Sequence, residues 1–182
     1  FTFVGKHHVF ASLRPEFEDI TVTCTSPSKT FNLAGLQLAN IIIKNPTVRR
    51  AFVHESRVSG YSELNVMGYV STVAAYRNGG EWYDAMHEYI RKNAEYVKEF
   101  VDANLPKIRM INHEATYLVW LDFRKLGLSV DELDNKIIYQ SRLWLDSGKI
   151  FGKSGEGFQR INVACPRKIL EEAMKRLKEV FG

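Results

Sequence analysis

Between Glu81 and Pro106 the chain carries one uninterrupted helical pattern, and the rest of the sequence has to be arranged around it. Trp82, Met86, Tyr89, Ile90, Val97, Phe100 and Val101 recur at steps of three and four, on one face of an amphipathic helix. Pro106 closes it, since proline lacks the N–H and clashes with the preceding turn. The pattern divides the sequence into two blocks of different rhythm.

Before it, Ile20–Thr25 and Asn40–Lys44 are short, apolar and β-branched, as expected of strands buried on both faces of an α/β sheet. Asn45-Pro46 ends the second run and opens a helix to about Arg57. Glu63–Asn78 is expected to form another helix, stopped at Gly79-Gly80. After it, strands are expected at Ile108–Ile111, Tyr117–Asp122 and Phe158–Ala164. Ser129-Val130-Asp131-Glu132 is a capping box that starts a helix to about Gln140. From Pro166 a last helix carries Leu170, Ala173, Met174, Leu177 and Phe181 on one face. The sequence contains no internal repeat, low-complexity tract or linker.

Several function classes are excluded at this level. No run of apolar residues is long enough for a membrane span. The net charge of +4 over 182 residues is mixed in sign. Even the basic segment Arg167–Lys178 contains Glu171 and Glu172, so it reads as a solvated helix face rather than a nucleic-acid surface. The five histidines show no H-E-x-x-H spacing, and the two cysteines complete no zinc set. Cys24 and Cys165 are expected to be buried, reduced thiols of a cytoplasmic protein.

The chemistry lies in the run Cys24-Thr25-Ser26-Pro27-Ser28-Lys29-Thr30-Phe31. A β-rich segment feeds a hydroxyl-bearing turn with one lysine at its far end. A lysine that reacts with a carbonyl must spend time as a neutral amine, which partial burial among Thr30, Phe31 and Leu33–Leu36 would encourage. Ser26 and Ser28 could donate hydrogen bonds to a phosphate. Downstream, Gly157-Phe158-Gln159-Arg160-Ile161-Asn162-Val163-Ala164-Cys165-Pro166-Arg167 places an arginine, whose planar fork suits a carboxylate, on an expected strand.

Together these two runs resemble the fold-type I pyridoxal-phosphate (PLP) enzymes, and most narrowly the MalY/PatB-type cystathionine β-lyases, close relatives of the class I and II aminotransferases. The resemblance covers essentially the whole chain. It implies an α/β fold: the C-terminal portion of the large PLP-binding domain (residues 1–80, incomplete), a connecting helix (residues 81–105) and a small α+β C-terminal domain (residues 106–182). It also implies that Lys29 holds PLP covalently and then acts as the base at the substrate Cα. Ser26 would contact the cofactor phosphate, and Arg160 would grip the substrate α-carboxylate. Many fold-type I enzymes place an arginine eight residues after the lysine; here that position is Gln37, which agrees with the MalY/PatB pattern. Arg167 is expected to be structural, and Asn65 and Gly68 fall where relatives approach the neighbouring subunit's site.

The activity implied is α,β-elimination on cystathionine- or cysteine-like amino acids, giving thiol, pyruvate and ammonia, by a homodimer. An aminotransferase using the same Lys29 and Arg160 is the alternative enzyme reading, and a non-catalytic interaction fragment is the alternative from another class. The family's pyridine-nitrogen aspartate, ring-stacking aromatic residue and phosphate-cupping amides would all lie upstream of Phe1. The chain starts without methionine, as expected of part of a longer reading frame or of a trimmed chain. By itself it is expected to be a weak catalyst or none.

Overall fold

A computed structural model describes residues 1–61 and 63–182. The chain divides into two compact units, Lys6–Ala85 on one side and Phe1–Gly5 with Met86–Gly182 on the other.

In the first unit a short helix, α1 (Phe17–Ile20), leads into strand β1 (Val22–Thr25). Ile20 therefore ends a helical turn instead of starting the strand. Strand β2 (Asn40–Ile43) pairs antiparallel with β1, with Val22 opposite Ile43 and Cys24 opposite Ile41. The expectation of strands buried on both faces is not met. Ile43 is buried, but Val22, Ile41 and Ile42 are exposed, because the described residues supply a sheet of two strands only. The apolar run did specify a strand, but the cover over it is a separate matter.

Helix α2 (Pro46–Val58) opens on Asn45, whose side-chain oxygen accepts from the Thr47 and Val48 N–H groups, with Pro46 in the first turn. Helix α3 (Val66–Asn78) starts later than Glu63 for the same reason. Asn65 Oδ1 accepts from Met67 N–H and Gly68 N–H, so the cap fixes the boundary. Helix α3 keeps Gly68 and Thr72 buried and leaves Val66, Met67, Tyr69 and Val70 exposed.

Helix α4 (Gly80–Asn104) begins in the first unit and continues through the second. Ile90, Asn93, Ala94, Val97 and Val101 are its buried positions, spaced at three and four. Trp82 and Tyr89, which share the expected apolar face, are exposed. Beyond it come β3 (Arg109–Met110), β4 (Leu118–Asp122), α5 (Val130–Asn135), β5 (Asp146–Ser147), β6 (Phe158–Asn162) and α6 (Arg167–Phe181). The four strands form one antiparallel sheet in the order β3-β4-β6-β5.

Alternate residues of β4 and β6, Val119, Leu121 and Ile161, join Val97, Val101, Leu170, Met174, Leu177 and Phe181 in a single core. At roughly 1.5–3 kcal/mol for each fully buried aliphatic side chain, this layer of sheet against α4 and α6 is the unit's main source of stability. The capping box at Ser129 is complete, since Ser129 Oγ accepts from Glu132 N–H and the Glu132 carboxylate accepts from Ser129 N–H. The helix it starts does not stay α-helical to Gln140. From Lys136 it widens into a π turn, closed by Ser141 N–H to the Lys136 carbonyl at 2.9 Å.

The first residues join this second unit through backbone bonds. Phe3 N–H donates to the Glu114 carbonyl and Thr116 N–H to the Phe1 carbonyl. The Phe3 ring stacks on His87 at 4.7 Å. Among the described residues no helix is long and apolar enough to cross a membrane.

Candidate functional site

The lysine turn is built by the end of β1 and the loop returning to β2. Ser26 Oγ donates to the Leu38 carbonyl at 2.7 Å and accepts from Ser28 N–H at 3.1 Å. Phe31 N–H then donates to the Pro27 carbonyl, and Leu33 N–H to the Ser28 carbonyl, both at 2.9 Å. These bonds wind residues 27–33 into a compact turn whose buried member is Pro27. The chain leaves it through two left-handed residues, Asn32 (φ 55°) and Gln37 (φ 50°), conformations that asparagine and, less readily, glutamine tolerate.

The return loop is braced by α3. Asn65 Nδ2 donates weakly to the Leu36 carbonyl at 3.4 Å, and a Cβ on Gly68 would stand 2.7 Å from that same oxygen. Asn65 and Gly68 thus have a local task, seating the loop on the start of the helix. Phe31 stacks on Trp82 at 5.4 Å.

Lys29 itself is exposed, contrary to the expected partial burial. The turn directs Pro27 inward and leaves the next lysine outside, so the apolar residues after it do not cover it. Among the described residues its amine takes part in no hydrogen bond or ion pair, which leaves it open to a carbonyl reagent. Ser26 has less freedom, because its only O–H is committed to Leu38; it would have to release that bond to donate to a phosphate. The turn therefore fits a carbonyl-bearing phosphate cofactor at Lys29 directly, and at Ser26 through an exchange of partners.

Arg160 lies at the middle of β6, in the other unit, flanked in register by Trp120 of β4 and Asp146 of β5. Its Nε and Nη2 both donate to Asp146 Oδ2, at 3.0 and 2.7 Å. The guanidinium carbon sits 4.5 Å from the centre of the Phe151 ring and 5.9 Å from that of Trp120. Arg160 is held on three sides, with only 24% of its side chain exposed. Asp146 was missed in the sequence, where nothing marks a two-residue strand as the neighbour of β6. The loop between them is pinched at its neck: a Cβ on Gly148 would stand 1.9 Å from the Gly155 carbonyl oxygen, so only glycine lets the two backbones meet.

Arg167 is fixed differently. Its Nε donates to Asn93 Oδ1 at 2.9 Å, its Nη2 to the Lys92 carbonyl at 2.8 Å, and its guanidinium covers the Tyr96 ring at 4.6 Å. These contacts bind the start of α6 to α4, a structural use in keeping with the expectation. Both cysteines are free thiols. Cys24 is exposed, against expectation, on the uncovered β1–β2 ribbon, whereas Cys165 is half-buried and burial pushes its thiol pKa up. No group of three or more His, Cys, Asp or Glu side chains able to hold a metal occurs among the described residues.

Comparison with known proteins gives this geometry a setting. The family described as aminotransferase class I and II matches residues 2–177. Cystathionine beta-lyase PatB of Bacillus subtilis is 41% identical over 177 residues, covering 97% of this chain and 46% of that protein. Protein MalY of Escherichia coli is 34% identical over 154 residues, covering 84% of this chain and 40% of that protein. The crystal structure of cystalysin from Treponema denticola, which contains a pyridoxal 5'-phosphate cofactor, superposes with a TM-score of 0.94 at 37% identity, over 98% of this chain and 46% of that one. The chain thus has the fold-type I arrangement and spans less than half the length of the relatives it matches.

Proposed function

We propose that this chain, which belongs to the aminotransferase class I and II family, is the C-terminal part of a PLP-dependent carbon–sulfur β-lyase acting on cystathionine- or cysteine-like amino acids. The observation that carries the reading is the serine-braced turn after β1, in which Ser26 Oγ bonds the Leu38 carbonyl and the Ser28 N–H and presents Lys29 at its end. The names of the relatives, cystathionine beta-lyase among them, support the reaction class.

In this reading Lys29 and Ser26 hold the cofactor, with Ser26 exchanging its Leu38 bond for the phosphate. PLP, when bound, supplies an electron sink for the negative charge that develops at the substrate Cα. The freed Lys29 amine takes the Cα proton. Arg160 binds the α-carboxylate through the guanidinium edge that Asp146 does not use. The Cβ–S bond would then break with its electron pair leaving on sulfur, the thiolate would take up the proton that Lys29 removed from Cα, and the three-carbon remainder would be hydrolysed by one water to pyruvate and ammonia. Residues 1–80 belong to the large domain, 81–105 to a connecting helix and 106–182 to the small domain of a cytoplasmic homodimer. By itself the segment is a weak catalyst or none.

The experiment is an assay of the full-length protein with L-cystathionine, following thiol and pyruvate together with conversion of an added 2-oxo acid to an amino acid. Thiol and pyruvate in equal amounts support the lyase. Amino transfer without thiol release assigns the chain to an aminotransferase instead.

A further inference from the structure

We infer that Asp146 is a positioning residue for substrate binding: it holds the Arg160 guanidinium by its side edge so that the end edge faces outward as a rigid carboxylate fork. The inference rests on the reading of Arg160 as the carboxylate anchor and adds to it the group that makes the arginine selective.

A guanidinium has five N–H donors in one plane, disposed along two edges that can each take an oxyanion. Nε–H and one Nη2–H form the side edge, and the remaining Nη2–H and an Nη1–H form the end edge. Asp146 Oδ2 accepts both donors of the side edge. The guanidinium carbon stands over the Phe151 ring, 4.5 Å from its centre. Rotation about the last side-chain bonds is thus blocked by an ion pair in the plane and a ring over it, and the end edge alone is left to an incoming ligand. A free arginine has several rotatable bonds and would lose that freedom on binding; here much of it is already lost in the folded protein, which favours affinity. The pair is directly opposed in the β5–β6 register, so the backbone sets the separation. Asp146 is 44% exposed and Arg160 24%. With its carboxylate partly in water the ion pair adds little to folding, which leaves orientation as its larger effect.

The test uses the full-length protein loaded with cofactor and compares wild type with Asp146→Ala, Asp146→Asn, Arg160→Ala and Asp146→Ala/Arg160→Ala. Asp146→Ala should raise KM for the amino-acid substrate by roughly 10- to 100-fold, the scale on which a misplaced binding group acts, with kcat changed far less. Asp146→Asn, which keeps an acceptor oxygen in place, should fall between wild type and Asp146→Ala. The double variant should be no worse in kcat/KM than Arg160→Ala, because Asp146 acts through the arginine. Thermal melting and cofactor occupancy should stay at wild-type values. If Arg160→Ala is impaired while Asp146→Ala and Asp146→Asn keep the wild-type KM, the inference is overturned and the anchor stands. Additive losses in the double variant also overturn it. If Arg160→Ala is unimpaired, the anchor reading falls and the inference with it. Should Asp146→Ala fail to fold, the Asp146→Asn KM decides alone: a wild-type value overturns the inference.

Discussion

Asn93 and Arg167 face each other across the α4–α6 boundary as a fully matched pair. Asn93 is completely buried; its Oδ1 accepts from Arg167 Nε at 2.9 Å, and its Nδ2 donates to the Val163 and Cys165 carbonyls at 2.8 and 2.9 Å. One amide thus satisfies the backbone where β6 turns into α6 and also holds the arginine that anchors that turn. Most buried polar groups in folded proteins are partnered in this way.

Replacing Asn93 should accordingly cost more than its size suggests. Asn93→Leu takes the Asn93 amide away from two carbonyls and from the Arg167 Nε–H, and should lower stability by about 2–4 kcal/mol. Asn93→Asp keeps the acceptor for Arg167 but loses both donors and should also destabilise. Urea unfolding of the full-length protein measures both; a variant within experimental error of wild type would show that the network is dispensable.

Lys29 should be the residue that carries the cofactor. Borohydride reduction of the full-length protein in PLP, followed by peptide mapping, should place the pyridoxyl group on Lys29, and Lys29→Ala should carry none. Label on another lysine would move the site away from this turn.

Arg160 and Arg167 should separate cleanly by kinetics. Arg160→Lys keeps the charge but loses the fork, and should cost roughly 2–5 kcal/mol in kcat/KM. Arg167→Lys should instead lower the melting temperature and leave KM nearly unchanged. The reverse pattern would transfer the carboxylate to Arg167.

Stability should fall in acid through Asp122. The Arg124 guanidinium binds its carboxylate through Nε at 2.9 Å and Nη2 at 2.8 Å, Arg124 N–H adds a third bond, and Arg109 lies 3.3 Å away. Chiefly the Arg124 side-chain bonds lower the Asp122 pKa to about 2 from 3.8. A depressed carboxyl stabilises the fold above its unfolded pKa and loses that contribution as pH drops through the folded value. The window is therefore about pH 4 down to pH 2. Because Asp122 is only 8% exposed while both arginines are largely in water, the contribution should be about 1–2 kcal/mol. Urea midpoints at pH 5 and pH 2.5 should converge between wild type and Asp122→Asn at the lower pH; an undiminished gap would remove Asp122 as the cause.

What could be read from the sequence was local. The Ser129–Glu132 capping box and the Asn45-Pro46 helix start form as expected, because every atom involved lies within four residues of the others. The α4 face is also legible in its interior, where Ile90, Val97 and Val101 are buried. Misreadings cluster where a distant partner decides. The late start of α3 is an exception, a local signal passed over: Asn65 caps the N–H groups of Met67 and Gly68, two and three residues on. The strand β5 has two residues and exists through its pairing with β6, so neither it nor the Asp146–Arg160 contact is written in any periodicity. Lys29 could be singled out by the residues beside it, whereas its exposure and the Leu38 bond that occupies Ser26 depend on how the loop returns to β2.

The abutment of Gly148 and Gly155 gives this loop two mutational regimes. The neck encloses Phe151, whose ring centre lies 4.5 Å from the Arg160 guanidinium carbon, but the Lys153 and Ser154 side chains beyond it are exposed, and changes confined to those two side chains need not be felt at Asp146 or Arg160. Any side chain placed at the neck would instead pry β5 away from β6. A chemical label on the Lys153 or Ser154 side chain would therefore be carried as a passenger, whereas a single methyl group at Gly148 would act on the arginine as surely as a change to the arginine itself.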